Sequence, residues 1–433
     1  MDAARFAARD SNMRVLLISA NTERFIMPTL PLGLGLVAGA ARAAGHDVSF
    51  LDLLGADDPV AAVHAAIGAG AVDVIGISIR NIDDQEISRP RFLLEKAREV
   101  VRACRDAARC PVVVGGAGYS IFPEAALRYL GADYGIRGEG EAAFPELLSC
   151  LAEGKKPMGV PGVVAAGTAG GTPPEPWAGW KSSPAAAVET ASSADPSDSD
   201  LWIPVQSRRG CPLDCSYCST AAIEGRRIRR RDPTLAAEEV AAWADRGFRR
   251  FHVVDSTFNF PRAYAMALCS RLRERAPGIT WRAIVYPHRV DGEMAEAMAG
   301  SGCREVSLGF ESGCDRVLAG FNKRFGREEI RTVSETLRAR GIACRGFLLL
   351  GGPDETRDSV AESLDFIESL DLESLKIQIG IRIYPGTALA IRAREEGVIG
   401  PEDELLYPQF YLKKDIEDWT RRSLEERGLE VRI

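Results

Sequence analysis

Two stretches of the chain alternate short β-branched runs with helical patterns, and a stretch that does neither separates them. In the first, VLLIS (15–19), VSFLDL (48–53), VDVIGISI (72–79), VVVGG (112–116) and YGIRG (134–138) are apolar runs of strand length. Helical patterns such as LGLGLVAGAARAAG (32–45) and FLLEKAREVVRACRDAA (92–108) lie between them. Continuous apolar strands separated by helices predict a parallel sheet buried on both faces. Residues 13–153 therefore read as an α/β doubly wound (Rossmann-like) domain of five strands, with ligands bound outside the strands' carboxyl ends. Residues 154–200 turn to Gly, Pro, Ala and Ser, which offer little apolar surface to bury; a linker is expected, with at most one small hairpin.

The alternation resumes at residue 201. IPVQSR (203–208), FRRFHVVDS (248–256), TWRAIVY (280–286), EVSLGFES (305–312), CRGFLLLG (344–351) and LKIQIGIRIY (375–384) read as strands, each followed by a helical segment. Six such units fall short of the eight of a closed barrel. A partial (β/α)6 barrel over 201–400 is expected, with its site at the strands' carboxyl ends. Residues 401–433 form a charged tail expected to cap one end. Within it, LLYPQFYL (405–412) suits a cover over the barrel mouth or a core segment equally well.

Composition narrows the function. The 433 residues carry a net charge of −7, and about 100–200 residues per domain allows two or three domains. The acidic balance argues against nucleic acid as a partner. No apolar run reaches the ~20 residues that span a bilayer. The N-terminal MDAARFAARDSNMR lacks a signal-peptide core, so a cytoplasmic protein is expected. Ten cysteines in a reducing compartment do not form a disulfide framework. Cys104, Cys110, Cys150, Cys269, Cys303, Cys314 and Cys344 are scattered and read as ordinary thiols.

The other three, Cys211, Cys215 and Cys218, stand as CxxxCxxC in RRGCPLDCSYCST, after the first barrel strand. Three thiolates this close are costly to bury without a metal. A short loop can hold three irons of a cubane cluster and leave the fourth open. A structural zinc site wants a fourth ligand, and no second Cys/His pair follows nearby. The segment resembles the radical S-adenosylmethionine (SAM) enzymes, whose CxxxCx(aromatic)C motif binds a [4Fe–4S] cluster, with Tyr217 at the aromatic position.

That resemblance implies SAM bound to the open iron and reductively cleaved to a 5′-deoxyadenosyl radical. It assigns Asp255 and Ser256 to the methionine amine, and Ser307 and Glu311 to the ribose and methionine part. It also places Gly351 and Gly352 of LLLGGPDET near adenine and matches Tyr384 in IYPGT to the end of the sixth strand.

A doubly wound domain ahead of such a barrel is similar to that of the cobalamin-binding radical SAM enzymes. On that resemblance, the cobalamin crevice is lined by Asn21 and Thr22, by Ser78, Arg80 and Asn81 of SIRNIDD (78–84), and by Gly115, Gly116 and Gly118 of GGAG. Gly138, Glu139 and Gly140 of GIRGEGE complete it. The familiar Asp-x-His-x-x-Gly cobalt-ligand motif is missing; His46 and His64 read as structural. Arg80 either lies beneath the corrin, holding that face without a ligand, or pairs with Asp83 or Asp84. RRIRRR (226–231) is expected to be a charged lead-in to the first barrel helix, with a substrate-anion site as the alternative.

The implied activity is methylation of an unactivated carbon through the 5′-deoxyadenosyl radical and methylcobalamin. A non-methylating oxidation, cyclisation or ring rearrangement is the alternative, and a cobalamin module with an inactive barrel is a third reading. The resemblance implies a low-potential electron donor such as flavodoxin or ferredoxin. The substrate, whether small molecule, lipid or peptide, is not named by any residue.

Overall fold

The computed structural model describes residues 12–23, 30–168, 170–182 and 195–429. The first domain is a sheet of β1 (Arg14–Ser19), β2 (Asp47–Asp52), β3 (Val74–Ser78), β4 (Val112–Gly115), β5 (Tyr134–Ile136) and β6 (Val163–Ala165). Their spatial order is β2-β1-β3-β4-β5-β6, parallel except for β6. The burial of Val15, Leu16, Leu17 and Ile18 in succession shows why no polar alternation marks β1: helices cover both faces. β6 is the departure from expectation. The Gly-rich stretch contributes Val163–Ala165 as a buried antiparallel edge strand against β5, and Trp180 farther along it is also buried.

The second domain contains β7 (Ile203–Val205), a small ribbon of β8 (Arg208–Arg209) and β9 (Arg229–Arg230), then β10 (Arg250–Val253), β11 (Thr280–Val285), β12 (Cys303–Glu311), β13 (Ala343–Leu350) and β14 (Ser374–Ile379). A six-stranded parallel sheet runs β14-β13-β12-β11-β10-β7, the partial barrel. The sixth barrel strand stops at Gly380, whose φ of +79° breaks the run, and β15 (Ile381–Arg382) pairs instead with β16 (Phe410–Tyr411) of the tail. The run 375–384 is therefore two elements. The tail packs as core: Leu405, Leu406 and Tyr411 are buried.

The domains share one core. Ile77, Phe122 and Tyr119 of the first pack in one cluster with Cys314, Phe321, Ile383 and Leu405 of the second. Across this boundary Arg382 Nε donates to Asp83 Oδ2 at 2.8 Å, both side chains 1% exposed. Among the described residues no helix is long and apolar enough to cross a membrane.

Candidate functional site

The carboxyl ends of the first domain's strands meet the first barrel strand at a cavity of about 410 Å³. Ser19 and Asn21 after β1, Ser78 and Arg80 after β3, Gly115 and Gly116 after β4, and Gly138, Glu139 and Gly140 after β5 line it. Gln206, Arg209 and Glu224 face them from the barrel. Gly116 makes the floor possible. At φ +100° it lets the β4 loop approach Ile79, whose carbonyl oxygen would lie 2.5 Å from an added Cβ.

Of the residues expected to touch cobalamin, Thr22 and Asn81 line a neighbouring small cleft instead. Gly118 packs against the Arg80 and Asn81 backbone rather than facing the cavity. Arg80 has no carboxylate partner among the described residues. Asp83 is taken by Arg382, and Asp84 accepts from Arg91 Nε at 2.8 Å, so the expected pairing does not form. His46 is structural, accepting from the Met13 amide at 3.2 Å.

The cysteine loop hangs between β8 and β9 and is tied down at its backbone. The Cys211 amide donates to the Gly225 carbonyl (3.1 Å), and the Ser216 amide donates to Phe321 (3.1 Å). Burial raises the Cys211 thiol and pushes Cys215 up to about 11. Bare thiolates are unfavourable in such surroundings, whereas iron takes them readily. Among the described residues no three His, Cys, Asp or Glu side chains converge on one ion position. A cubane does not need that, since each thiolate binds a different iron. The three thiols fit a cluster.

Beside them, Tyr217 turns into the protein, donating its hydroxyl to Glu311 Oε1 at 2.9 Å and packing edge-on against Phe321. Glu311 ends β12 at φ +69°, a left-handed conformation rare for a non-glycine residue. Lys323 Nζ lies 3.3 Å from the same oxygen and donates to the Gly309 carbonyl at 2.9 Å. Burial acts to lower the Lys323 pKa, but Glu311 and Cys215 together leave it raised.

Other expected SAM contacts are placed less openly. Asp255 is 1% exposed, and its carboxylate accepts from the Ser207 amide (2.8 Å), the Ser207 hydroxyl (2.5 Å) and Arg208. It anchors the segment leading to the cysteines. Ser256 donates to Glu224 at 3.1 Å. Gly351 and Gly352 are packed over by Leu412 and Phe321, and Tyr384 packs on Phe122 at the domain boundary. Ser307 lies on β12 opposite Arg345.

Three residues carry no signal in the local pattern. Arg209 joins the cysteine loop to Glu141 of the first domain at 2.5 Å and stacks 3.9 Å from Trp180. Glu224 stands at the cavity edge, accepting from Gln206, Gly210 and Ser256, and burial raises its pKa. Lys323 is the third. The arginine run is divided: Arg226, Arg227 and Arg230 are exposed, whereas Arg229 pairs with Glu139, and Arg231 with Glu239, inside the protein.

Comparison with known proteins agrees with this geometry. Residues 205–367 match the radical SAM superfamily and residues 18–148 the B12-binding domain. The chain belongs to the cobalamin-binding radical SAM enzymes. This radical SAM enzyme is 27% identical over 398 residues to an uncharacterized methyltransferase of Pyrococcus horikoshii, covering 87% of this chain and 82% of that one. It is 24% identical over 442 residues to the tryptophan 2-C-methyltransferase of Streptomyces laurentii, covering 87% and 74%. Its fold matches the radical SAM methyltransferase TsrM of Kitasatospora setae, solved with tryptophan and a SAM analogue. The TM-score is 0.84 at 22% identity, over 97% of this chain and 89% of that one. The cofactors of the two domains are a [4Fe–4S] cluster with SAM, and cobalamin.

Proposed function

We propose that the enzyme methylates an unactivated carbon of a small-molecule substrate held between its two domains. The observation that carries this reading is the shared cavity, where the β3–β5 loops of the B12-binding domain face barrel residues adjoining the cysteine loop. When bound, the cluster with SAM supplies a 5′-deoxyadenosyl radical, and cobalamin supplies the methyl group. Cys211, Cys215 and Cys218 would hold the cluster. Lys323 and Glu311 form a charge pair beside Cys215 that would suit the amino-acid part of SAM, and Ser307, on the same strand as Glu311, would serve the ribose. Gly115, Gly116, Gly138 and Gly140 offer backbone without side chains to a flat ligand. Arg80, which has no carboxylate partner among the described residues, lines the cavity, and beside a corrin its guanidinium would be a poor metal ligand.

The shared core and the Asp83–Arg382 pair hold the two domains together. Cofactors and substrate filling the cavity between them would displace water from it, which protects a radical from side reactions. The test is anaerobic reconstitution with iron, sulfide and cobalamin, followed by product analysis with candidate substrates. S-adenosylhomocysteine formed in step with a methylated product supports the reading. Formation of 5′-deoxyadenosine alone, with substrate altered but unmethylated, overturns it in favour of a non-methylating reaction.

A further inference from the structure

The hollow side of the barrel carries a charge imbalance that neither cofactor explains. In a parallel sheet, laterally paired residues point the same way, and alternate residues point oppositely. His252 pairs with Arg282, Arg282 with Glu305, Ser307 with Arg345, and Phe347 with Lys376. Their alternates Phe251, Trp281, Val306, Cys344 and Ile377 are buried in the helix-covered core. The charged row therefore faces the hollow side.

Arg282, Arg345 and Lys376 stand on this row with one carboxylate, Glu305. Arg345 Nη2 lies 2.6 Å and Arg282 Nη1 3.6 Å from it. Lys376 has no carboxylate within ion-pair distance among the described residues, and burial together with Arg345 lowers its pKa. Its charge is therefore less well accommodated there than in water. The imbalance is not a general property of the barrel: at the upper end of β12, Lys323 and Glu311 neutralise one another. Like charges crowded on a half-buried surface repel, and a bound anion relieves that repulsion.

We infer that Lys376 and Arg345, with Arg282 behind them, form an anion-binding subsite that holds a phosphate or carboxylate of the substrate inside the barrel. Arg345 lies three residues below Leu348, the partner of Glu311. At about 3.3 Å per residue, Arg345 lies roughly 10 Å, and Lys376, opposite Phe347, roughly 3 Å below the cluster end, with the anion between them. A substrate with its acidic group there directs its other end toward the cavity. This placement rests on the proposed reading of that cavity as the reaction chamber; anion binding itself does not.

The test is calorimetric titration of the reconstituted full-length enzyme with pyrophosphate and, separately, malonate, at ionic strength matched with chloride. Lys376→Gln is the informative variant because it breaks no existing ion pair, Lys376→Arg keeps the charge, and exposed Lys156→Gln is the control. Wild type, K376R and K156Q should bind at least one probe, and K376Q should bind it at least tenfold more weakly. Preference for pyrophosphate indicates a phosphate-bearing substrate, and preference for malonate a carboxylate-bearing one. Failure of wild type to bind either probe, equal binding by K376Q, or displacement of the probe by saturating SAM would each overturn the inference. Anion binding without any methyl transfer would instead refute the proposed reaction and leave the subsite standing.

Discussion

Arg209 Nη2 donates to Glu141 Oε1 at 2.5 Å, joining the segment two residues before the first cluster cysteine to the first turn of the helix after β5 (Gly140–Ala152). Both side chains are buried, at 7% and 3% exposure, and the Trp180 ring covers the guanidinium. Glu139 lies on the other side of Arg209 at 3.4 Å. One buried arginine thus fixes the cluster loop relative to a wall of the cobalamin cavity.

Removing one partner of a buried ion pair costs about 3–5 kcal/mol because the other is left uncompensated. Glu141→Gln should fall at the lower end of that range, since Glu139 still faces Arg209. Thermal unfolding measures the loss. Cobalamin affinity, followed by absorbance, should fall in the same variant while the iron content of the reconstituted protein is kept. An unchanged melting temperature would show that the pair does not join the domains.

Cys211→Ala, Cys215→Ala and Cys218→Ala should each abolish SAM cleavage and strip iron from the reconstituted protein. Cobalamin binding should survive all three, because the cavity is lined by other residues. Iron analysis and cobalamin absorbance on the same samples check both halves.

The pair at Glu311 should respond unequally to its two neighbours. Tyr217→Phe removes one hydrogen bond to a charged group, worth about 1.5–3 kcal/mol. Lys323→Met leaves a buried carboxylate without its cation and should cost about 3–5 kcal/mol. The SAM Michaelis constant should rise more in K323M than in Y217F.

Glu355 gives the fold a pH dependence of definite sign. It is fully buried, and desolvation raises its pKa from 4.5 to about 7, although it accepts from the Gly352 amide at 2.7 Å. The folded state therefore favours the protonated form. The resulting stability is fully present below pH 4.5 and is lost as pH rises through 7. Between those limits the wild type should lose about 3 kcal/mol relative to Glu355→Gln, which cannot ionise. Denaturant titrations of both proteins at pH 5 and pH 8 measure the divergence.

Arg80→Ala tests the cobalt face. If Arg80 lies beneath the corrin, the spectrum of bound cobalamin should shift as water or a side chain reaches the metal. An unchanged spectrum with unchanged activity would remove Arg80 from that position.

What was legible in the sequence follows from the range of the forces involved. Val15–Ile18 declared a doubly buried strand because each residue reports its own burial. The cysteine loop was legible because its ligands lie within eight residues. β6 was obscured because an edge strand of only three residues needs no long apolar run, and glycine dominates its surroundings. The break at Gly380 depends on φ +79° and on Ile87 packed against it, a contact from nearly 300 residues away. Arg209 and Glu141, 68 residues apart, each look like ordinary surface charges until the two domains meet. Lys323 similarly gains meaning only from the left-handed turn of Glu311 beside it.

The most direct measurement is S-adenosylhomocysteine formed by the anaerobically reconstituted enzyme under reducing conditions, with and without cobalamin. At least one equivalent per bound cobalamin is expected, and almost none when it is omitted. An equal yield without cobalamin would contradict cobalamin-dependent methylation.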